Sequence, residues 1–103
     1  MINPMDLTDK HIVITGGSSG IGRACAIQAS RLGAKVTIIA RNEAKLQETI
    51  SLMDNRAQHA YYVMDLQDIE HIAELIQEIV VEQGAVDGFC PAAGIGNASV
   101  LKM

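Results

Sequence analysis

The chain has 103 residues, 49% of them hydrophobic and 19% charged, with a formal net charge of −4; the length suits one domain and the balance is that of a globular protein. An acidic chain without a basic patch offers no electrostatic footprint for nucleic acid, and no apolar run approaches the ~20 residues that span a bilayer. Met1–Lys10 lacks the basic-then-apolar layout of a signal peptide, so the cytoplasm is the expected setting and no membrane partner is expected.

In chain order, His11–Thr15 reads as a short β-rich run ended by Gly16-Gly17. A helix is predicted from Ser19 to Leu32, with Ile21, Ala24, Cys25 and Leu32 on one stripe and Gly33 as its stop. Lys35–Ala40 is a second strand. Leu46, Ile50 and Met53 recur at helical spacing behind Asn42, a candidate N-cap. Tyr61–Met64 forms the centre of a third strand. Asp68 opens a third helix in which Ile69, Ile72, Ala73, Ile76, Ile79 and Val80 share a face, while Glu70, Glu74, Glu78 and Glu82 read as a solvated stripe. Gly84 ends that helix, Val86–Cys90 is a fourth strand, and Pro91–Met103 is loop-like. Cys25 and Cys90, far apart in the chain among apolar neighbours, read as two reduced, buried, inert thiols.

Three β-α units plus a strand predict parallel pairing. The expected fold is α/β, a Rossmann-like doubly wound parallel sheet in the order 3-2-1-4, with residues 1–103 forming one half-domain.

The segment Thr15-Gly16-Gly17-Ser18-Ser19-Gly20-Ile21-Gly22 sits between the first strand and the first helix. Gly16 allows a sharp turn, Gly20 lets backbone amides approach a diphosphate, and Gly22 lets the helix pack closely on the sheet. The positive end of the helix favours an anion, and Ser18 and Ser19 add hydroxyl donors. The alternative is a glycine turn that merely closes a tight connection. A mononucleotide P-loop is excluded, because no Gly-Lys-Ser/Thr follows.

That segment resembles the T-G-x-x-x-G-I-G signature of the short-chain dehydrogenases/reductases. Asp65-Leu66 is similar to the family's D-[LV] pair at the adenine, and Val86–Ile95 stands where the family carries V-D-x-L-V-N-N-A-G-I. The likeness runs from about Leu7 onward, with a flavour of the 3-oxoacyl-carrier-protein reductases. It implies cofactor contacts at Gly16, Ser18, Ser19, Gly20, Ile21, Gly22, Asp65, Leu66, Ala92, Ala93 and Gly94, and hydride transfer between a nicotinamide and a small-molecule carbonyl or alcohol. Pro91-Ala92 replace the family's Asn-Asn, so the side-chain bracing those residues supply is lost. Asp65 also fits an N-cap of the third helix, and both roles stay open.

Arg41 ends the second strand nineteen residues after Gly22. An acid near this distance bonds a ribose 2′-hydroxyl, whereas an Arg accommodates a 2′-phosphate. NADP(H) is therefore favoured over NAD(H), although Ser19 stands where many NADP-preferring relatives carry a second basic residue. The alternative is a surface Arg on a loop.

The family's catalytic Ser and Tyr-x-x-x-Lys have no counterpart here. Four residues beyond Tyr61 and Tyr62 stand Asp65 and Leu66, and both tyrosines read as packing residues. His11, His59 and His71 lack metal-ligand spacing, so no metal is expected. No catalytic residue is identified. The sequence is expected to be the cofactor half of a longer, homo-oligomeric enzyme; taken alone, it is expected to associate through the apolar edge that its fourth strand, Val86–Cys90, exposes. A non-catalytic dinucleotide-binding module or redox sensor is the second reading. A methyltransferase is the third, disfavoured because that class usually ends its second strand with an acid.

Overall fold

A computed structural model describes residues 7–16, 20–54, 58–64 and 69–91. Its elements are β1 (His11–Thr15), α1 (Gly20–Arg31), β2 (Lys35–Ala40), α2 (Glu43–Leu52), β3 (Ala60–Val63), α3 (Ile69–Gln83) and β4 (Gly88–Pro91). The four strands form one sheet in the order β3-β2-β1-β4, all neighbours parallel. This is the doubly wound Rossmann-like arrangement that the β-α repeat predicts.

Alternation along β2 divides the interior into two cores. Val36, Ile38 and Ala40 join Ile14, Ala26, Leu46 and Met53 on the side of α1 and α2. Ile39 and Val13 meet Leu75 and Ile79 of α3 on the other. β2 is buried from Val36 to Ala40, as a strand covered on both faces must be.

The buried face of α1 differs from the predicted stripe. Gly22, Ala26 and Ser30 are buried at four-residue steps, while Ile21 is 58% exposed and Ala24 is exposed. Side-chain size misleads here: a helix lying close on a sheet puts its smallest residues at the contact, and the larger apolar residues flank it. α1 ends as a Schellman motif. The amide of Ala34 donates to the carbonyl of Ala29 and that of Gly33 to Ser30, with Gly33 at φ 100°. A Cβ at Gly33 would stand 2.7 Å from Thr8 Oγ1.

In α2, Asn42 is the predicted N-cap, its Oδ1 accepting from the Lys45 amide at 3.1 Å. Leu46, Thr49 and the C-cap Met53 are buried, with Ile50 packed beside them. On α3 the buried residues are Leu75 and Ile79, with Ile72 and Ile76 half-buried. Ala73 and Val80, predicted inward, are exposed, and Leu75 takes the place assigned to them. Glu74, Glu78 and Glu82 are exposed, as the acidic stripe implies. Asp68 lies outside the described residues.

Two strand boundaries shift. β3 ends at Val63, so Met64, read as part of the strand's centre, falls just beyond it. β4 starts at Gly88 rather than Val86, because Asp87 is engaged with β1: its Oδ2 accepts from the His11 amide and its own amide donates to the His11 carbonyl, both at 2.8 Å. His11 is itself buried. Its Nδ1 faces the carbonyls of Gly84 and Ala85, which only accept, and so donates to them, while Nε2 is hydrogen-bonded with Thr37 Oγ1 at 2.7 Å. Its ring is a structural tie between strand starts.

Candidate functional site

Parallel pairing in register lines up the C-terminal ends of the strands. Thr15 stands opposite both Ile39 and Pro91, and Ala40 opposite Val63. The residues that follow β1 and β2, Gly16 and Arg41, are thereby brought to one rim. The sheet order reverses direction at β1, since β2 and β3 lie to one side and β4 to the other. Ligands of open α/β sheets bind outside the strand C-termini at such a switch point.

At the rim, Gly16 adopts φ 78° and donates its amide to the Ile39 carbonyl at 2.7 Å. The turn therefore starts in the left-handed region that its glycine was predicted to allow. Gly20 opens α1 at φ 59°, and a Cβ built there meets nothing within 4 Å. Glycine here is thus not needed to avoid another part of the protein, apart from its backbone angle. The open space above it is what a ligand's close approach would use. Gly22 is buried at the first turn of α1, in the place predicted for close packing on the sheet. Ile21 is exposed beside the rim. Ser18, Ser19, Asp65, Leu66, Ala92, Ala93 and Gly94 lie outside the described residues.

α1 has no acidic residue in its first turn, so its positive end is not neutralised by its own side chains. Arg41 is exposed immediately after β2, and among the described residues no carboxylate pairs with it. The guanidinium of Arg23, by contrast, is fully committed. It donates to Thr49 Oγ1 at 2.9 Å and to the Lys45 carbonyl at 3.3 Å, and pairs with Glu48 at 2.6 Å, fastening α1 to α2. Among the described residues, therefore, Arg41 rather than Arg23 presents an uncommitted charge at the rim.

Both tyrosines have partners that the sequence did not disclose. Tyr61 donates to Glu43 Oε2 at 2.9 Å and accepts from Gln47 Nε2 at 2.9 Å. Tyr62, on the opposite face, donates to Glu82. Burial, and then its bond to the Glu82 carboxylate, raise the Tyr62 phenol above its ordinary value, the reverse of what a proton donor at neutral pH requires. Cys25 and Cys90, separate in sequence, meet on the α1 side of the sheet, both packed on the same core. Burial raises the Cys90 thiol, and the neighbouring Cys25 adds to the rise through charge and a hydrogen bond. A raised thiol is a poor nucleophile; both cysteines, expected to be buried, are half-buried, and although far apart in the chain they are neighbours in space. Among the described residues no group of three His, Cys, Asp or Glu could hold a metal, and no helix is long and apolar enough to cross a membrane.

A cleft of about 640 Å³ opens at the other end of the sheet, with Lys10, His11, Lys35, Ala85 and Asp87 among its lining. It faces the strand starts, away from the switch point, and several of its polar groups are engaged. Lys35 Nζ donates to the Gln83 carbonyl, and Asp87 accepts from His11.

The family model for short chain dehydrogenase matches residues 10–103. Bovine (Bos taurus) 3-ketodihydrosphingosine reductase is 36% identical over 98 residues, covering 89% of this chain and 30% of that protein. The uncharacterized oxidoreductase YciK of Escherichia coli K12 is 36% identical over 93 residues, covering 86% and 37%. The chain therefore spans about a third of the length of these curated relatives. Among solved structures, a short chain dehydrogenase from Escherichia coli CFT073 superposes with a TM-score of 0.79 at 34% identity, over 91% of this chain and 43% of that one. A further structure from the same strain, complexed with NADPH, gives 0.73 at 35% identity over 84% and 38%.

Proposed function

Because the chain belongs to the short-chain dehydrogenase family, we propose that its 103 residues are the cofactor-binding half-domain of an NAD(P)-dependent oxidoreductase that moves hydride between a nicotinamide and a small-molecule carbonyl or alcohol. The observation that carries this reading is the rim itself: a left-handed Gly16, an open Gly20 at the start of α1, and an exposed Arg41 without a carboxylate partner among the described residues, all at the C-terminal ends of β1 and β2 where the sheet order reverses. The residues fit a dinucleotide. The amides at the start of α1 would take the diphosphate, with Gly16, Ser18, Ser19, Gly20, Ile21 and Gly22 around it. Arg41 would take a 2′-phosphate, Asp65 and Leu66 the adenine, and Ala92, Ala93 and Gly94 the ribose beside the nicotinamide.

When bound, the nicotinamide supplies the hydride, and this chain's own residues bind and orient it. The proton that accompanies hydride transfer needs a donor tuned toward neutral pH, and the phenols of Tyr61 and Tyr62 are both engaged by carboxylates. We assign that step to residues outside this sequence. The same engagement favours, as a second reading, a dinucleotide-binding module that does no chemistry.

NADP(H) is preferred over NAD(H) in this proposal, since Arg41 is available for phosphate and an NADPH complex exists among the structural neighbours. A homo-oligomer is proposed for the enzyme, with the isolated 103 residues associating through the open β4 edge of the sheet, and a cytoplasmic setting, where Cys25 and Cys90 would persist as free thiols. Titration of the chain with NADPH and with NADH, followed by the fluorescence of the reduced nicotinamide, tests the assignment. Tighter binding of NADPH, lost in Arg41→Ala, supports it; equal affinities in the wild type refute the preference.

A further inference from the structure

The acid nearest Arg41 in sequence is Glu43, two residues on, in the first turn of α2. Left free, its exposed carboxylate has two ways to oppose a 2′-phosphate. It can pair with the Arg41 guanidinium and occupy the fork that would hold the phosphate, or it can face the phosphate as a like charge. An acid at this end of the second strand is also the group that accepts a bond from an unphosphorylated ribose. The position of Glu43 therefore bears directly on which dinucleotide the rim prefers.

Glu43 is not free. Its Oε2 accepts from the Tyr61 hydroxyl at 2.9 Å, and the same phenol oxygen accepts from Gln47 Nε2 at 2.9 Å. Gln47 lies one turn along α2 from Glu43, so the phenol bridges two successive turns of the flank of α2 that faces β3. Tyr61 stands on β3 opposite Ile38, two residues below the Ala40–Val63 pair at the rim, a drop of roughly 7 Å at 3.3 Å per residue. Its ring packs on the core beneath α1 and α2, which fixes the side of the sheet from which the hydroxyl emerges. The chain Gln47–Tyr61–Glu43 thus anchors the carboxylate to β3, and Arg41 is left without a carboxylate partner among the described residues.

We propose that Tyr61 is a positioning residue for cofactor specificity: by holding the Glu43 carboxylate on the β3 flank of α2, it keeps that acid away from Arg41 and from the 2′-phosphate of NADP(H). This inference rests on the assignment of Arg41 to the 2′-phosphate. Removing the hydroxyl releases Glu43 to turn toward the rim, which weakens NADPH binding and leaves NADH binding unchanged or improved. The size expected is a two- to fivefold change, roughly that of one unit charge several ångströms away across a solvated surface.

The test measures dissociation constants for NADPH and NADH on the wild type, Tyr61→Phe, Tyr61→Phe/Glu43→Gln and Arg41→Ala, each checked for fold by circular dichroism. The expected result is a two- to fivefold fall in the NADPH preference of Tyr61→Phe, restored when Glu43→Gln removes the released charge. A merely structural phenol gives a different pattern, because both cofactors then weaken together and the second substitution rescues nothing; that outcome overturns the inference. An unchanged preference in Tyr61→Phe beside a collapsed one in Arg41→Ala overturns it alone. An unchanged preference in Arg41→Ala overturns the Arg41 assignment, and this inference with it.

Discussion

Gly20 separates folding from binding, since the structure gives it different costs in each. Its φ of 59° is one that an L-residue adopts at about 1–2 kcal/mol. Its missing Cβ would meet no protein atom within 4 Å. Gly20→Ala therefore carries backbone strain but no steric clash, and the chain should fold with Tm lowered by roughly 5–15 °C. The added methyl group occupies the open space through which a diphosphate would reach the start of α1. Loss of even one charge-assisted amide bond there costs about 1.5–3 kcal/mol, roughly tenfold to a hundredfold in Kd. Thermal denaturation and NADPH titration on the same sample read the two effects separately, and Gly20→Val should abolish binding outright. A Gly20→Ala chain that folds and binds NADPH as tightly as the wild type would refute the assignment of this turn to the diphosphate.

Gly33 supplies the contrast. At φ 100°, with Thr8 Oγ1 2.7 Å from an added Cβ, Gly33→Ala should cost about 2–4 kcal/mol by urea denaturation while leaving the ratio of NADPH to NADH affinity intact in the folded fraction. Arg23→Ala should cost about 1 kcal/mol. The exposed ion pair to Glu48 contributes little of that, and most comes from the bond to the buried Thr49; Glu48→Gln should accordingly change stability far less. The Cys90 thiol is raised in the folded chain, so the fold favours its protonated form. Its contribution is fully present below the thiol's unfolded value, about 8.5, and is lost as pH rises through the folded one. Chemical denaturation between pH 8 and 10 should show a decline in stability that Cys90→Ala makes shallower.

The order of elements and the sheet topology were legible because hydrophobic period and glycine punctuation are local signals. Ile12–Thr15 and Val36–Ala40 carry the β-branched runs of strands buried on both faces, and Gly16, Gly33 and Gly84 mark the ends of elements, each with positive φ. The contact face of α1 was not legible, because close packing on a sheet selects Gly22, Ala26 and Ser30 over the larger Ile21, and periodicity weights size. β4 began later than its apolar run because Asp87 bonds back to His11 across seventy-six residues, a partnership no local pattern encodes. For the same reason the Gln47–Tyr61–Glu43 chain and the meeting of Cys25 with Cys90 were invisible: each joins a helix to a strand through side chains whose facing depends on sheet order. At the candidate site, Gly16, Gly20, Gly22 and Arg41 stand where their spacing placed them relative to β1, α1 and β2.

The rim formed by Gly16, the start of α1 and Arg41 is proposed to hold a nicotinamide dinucleotide. The most direct measurement is an NADPH titration of the ¹⁵N-labelled chain followed by backbone amide shifts. Saturable shifts are expected at Gly16, Gly20, Ile21, Gly22 and Arg41, and none at Lys10, His11, Lys35 and Asp87 around the cleft at the strand starts. Shifts confined to that opposite cleft, or none at all at saturating NADPH, would contradict it.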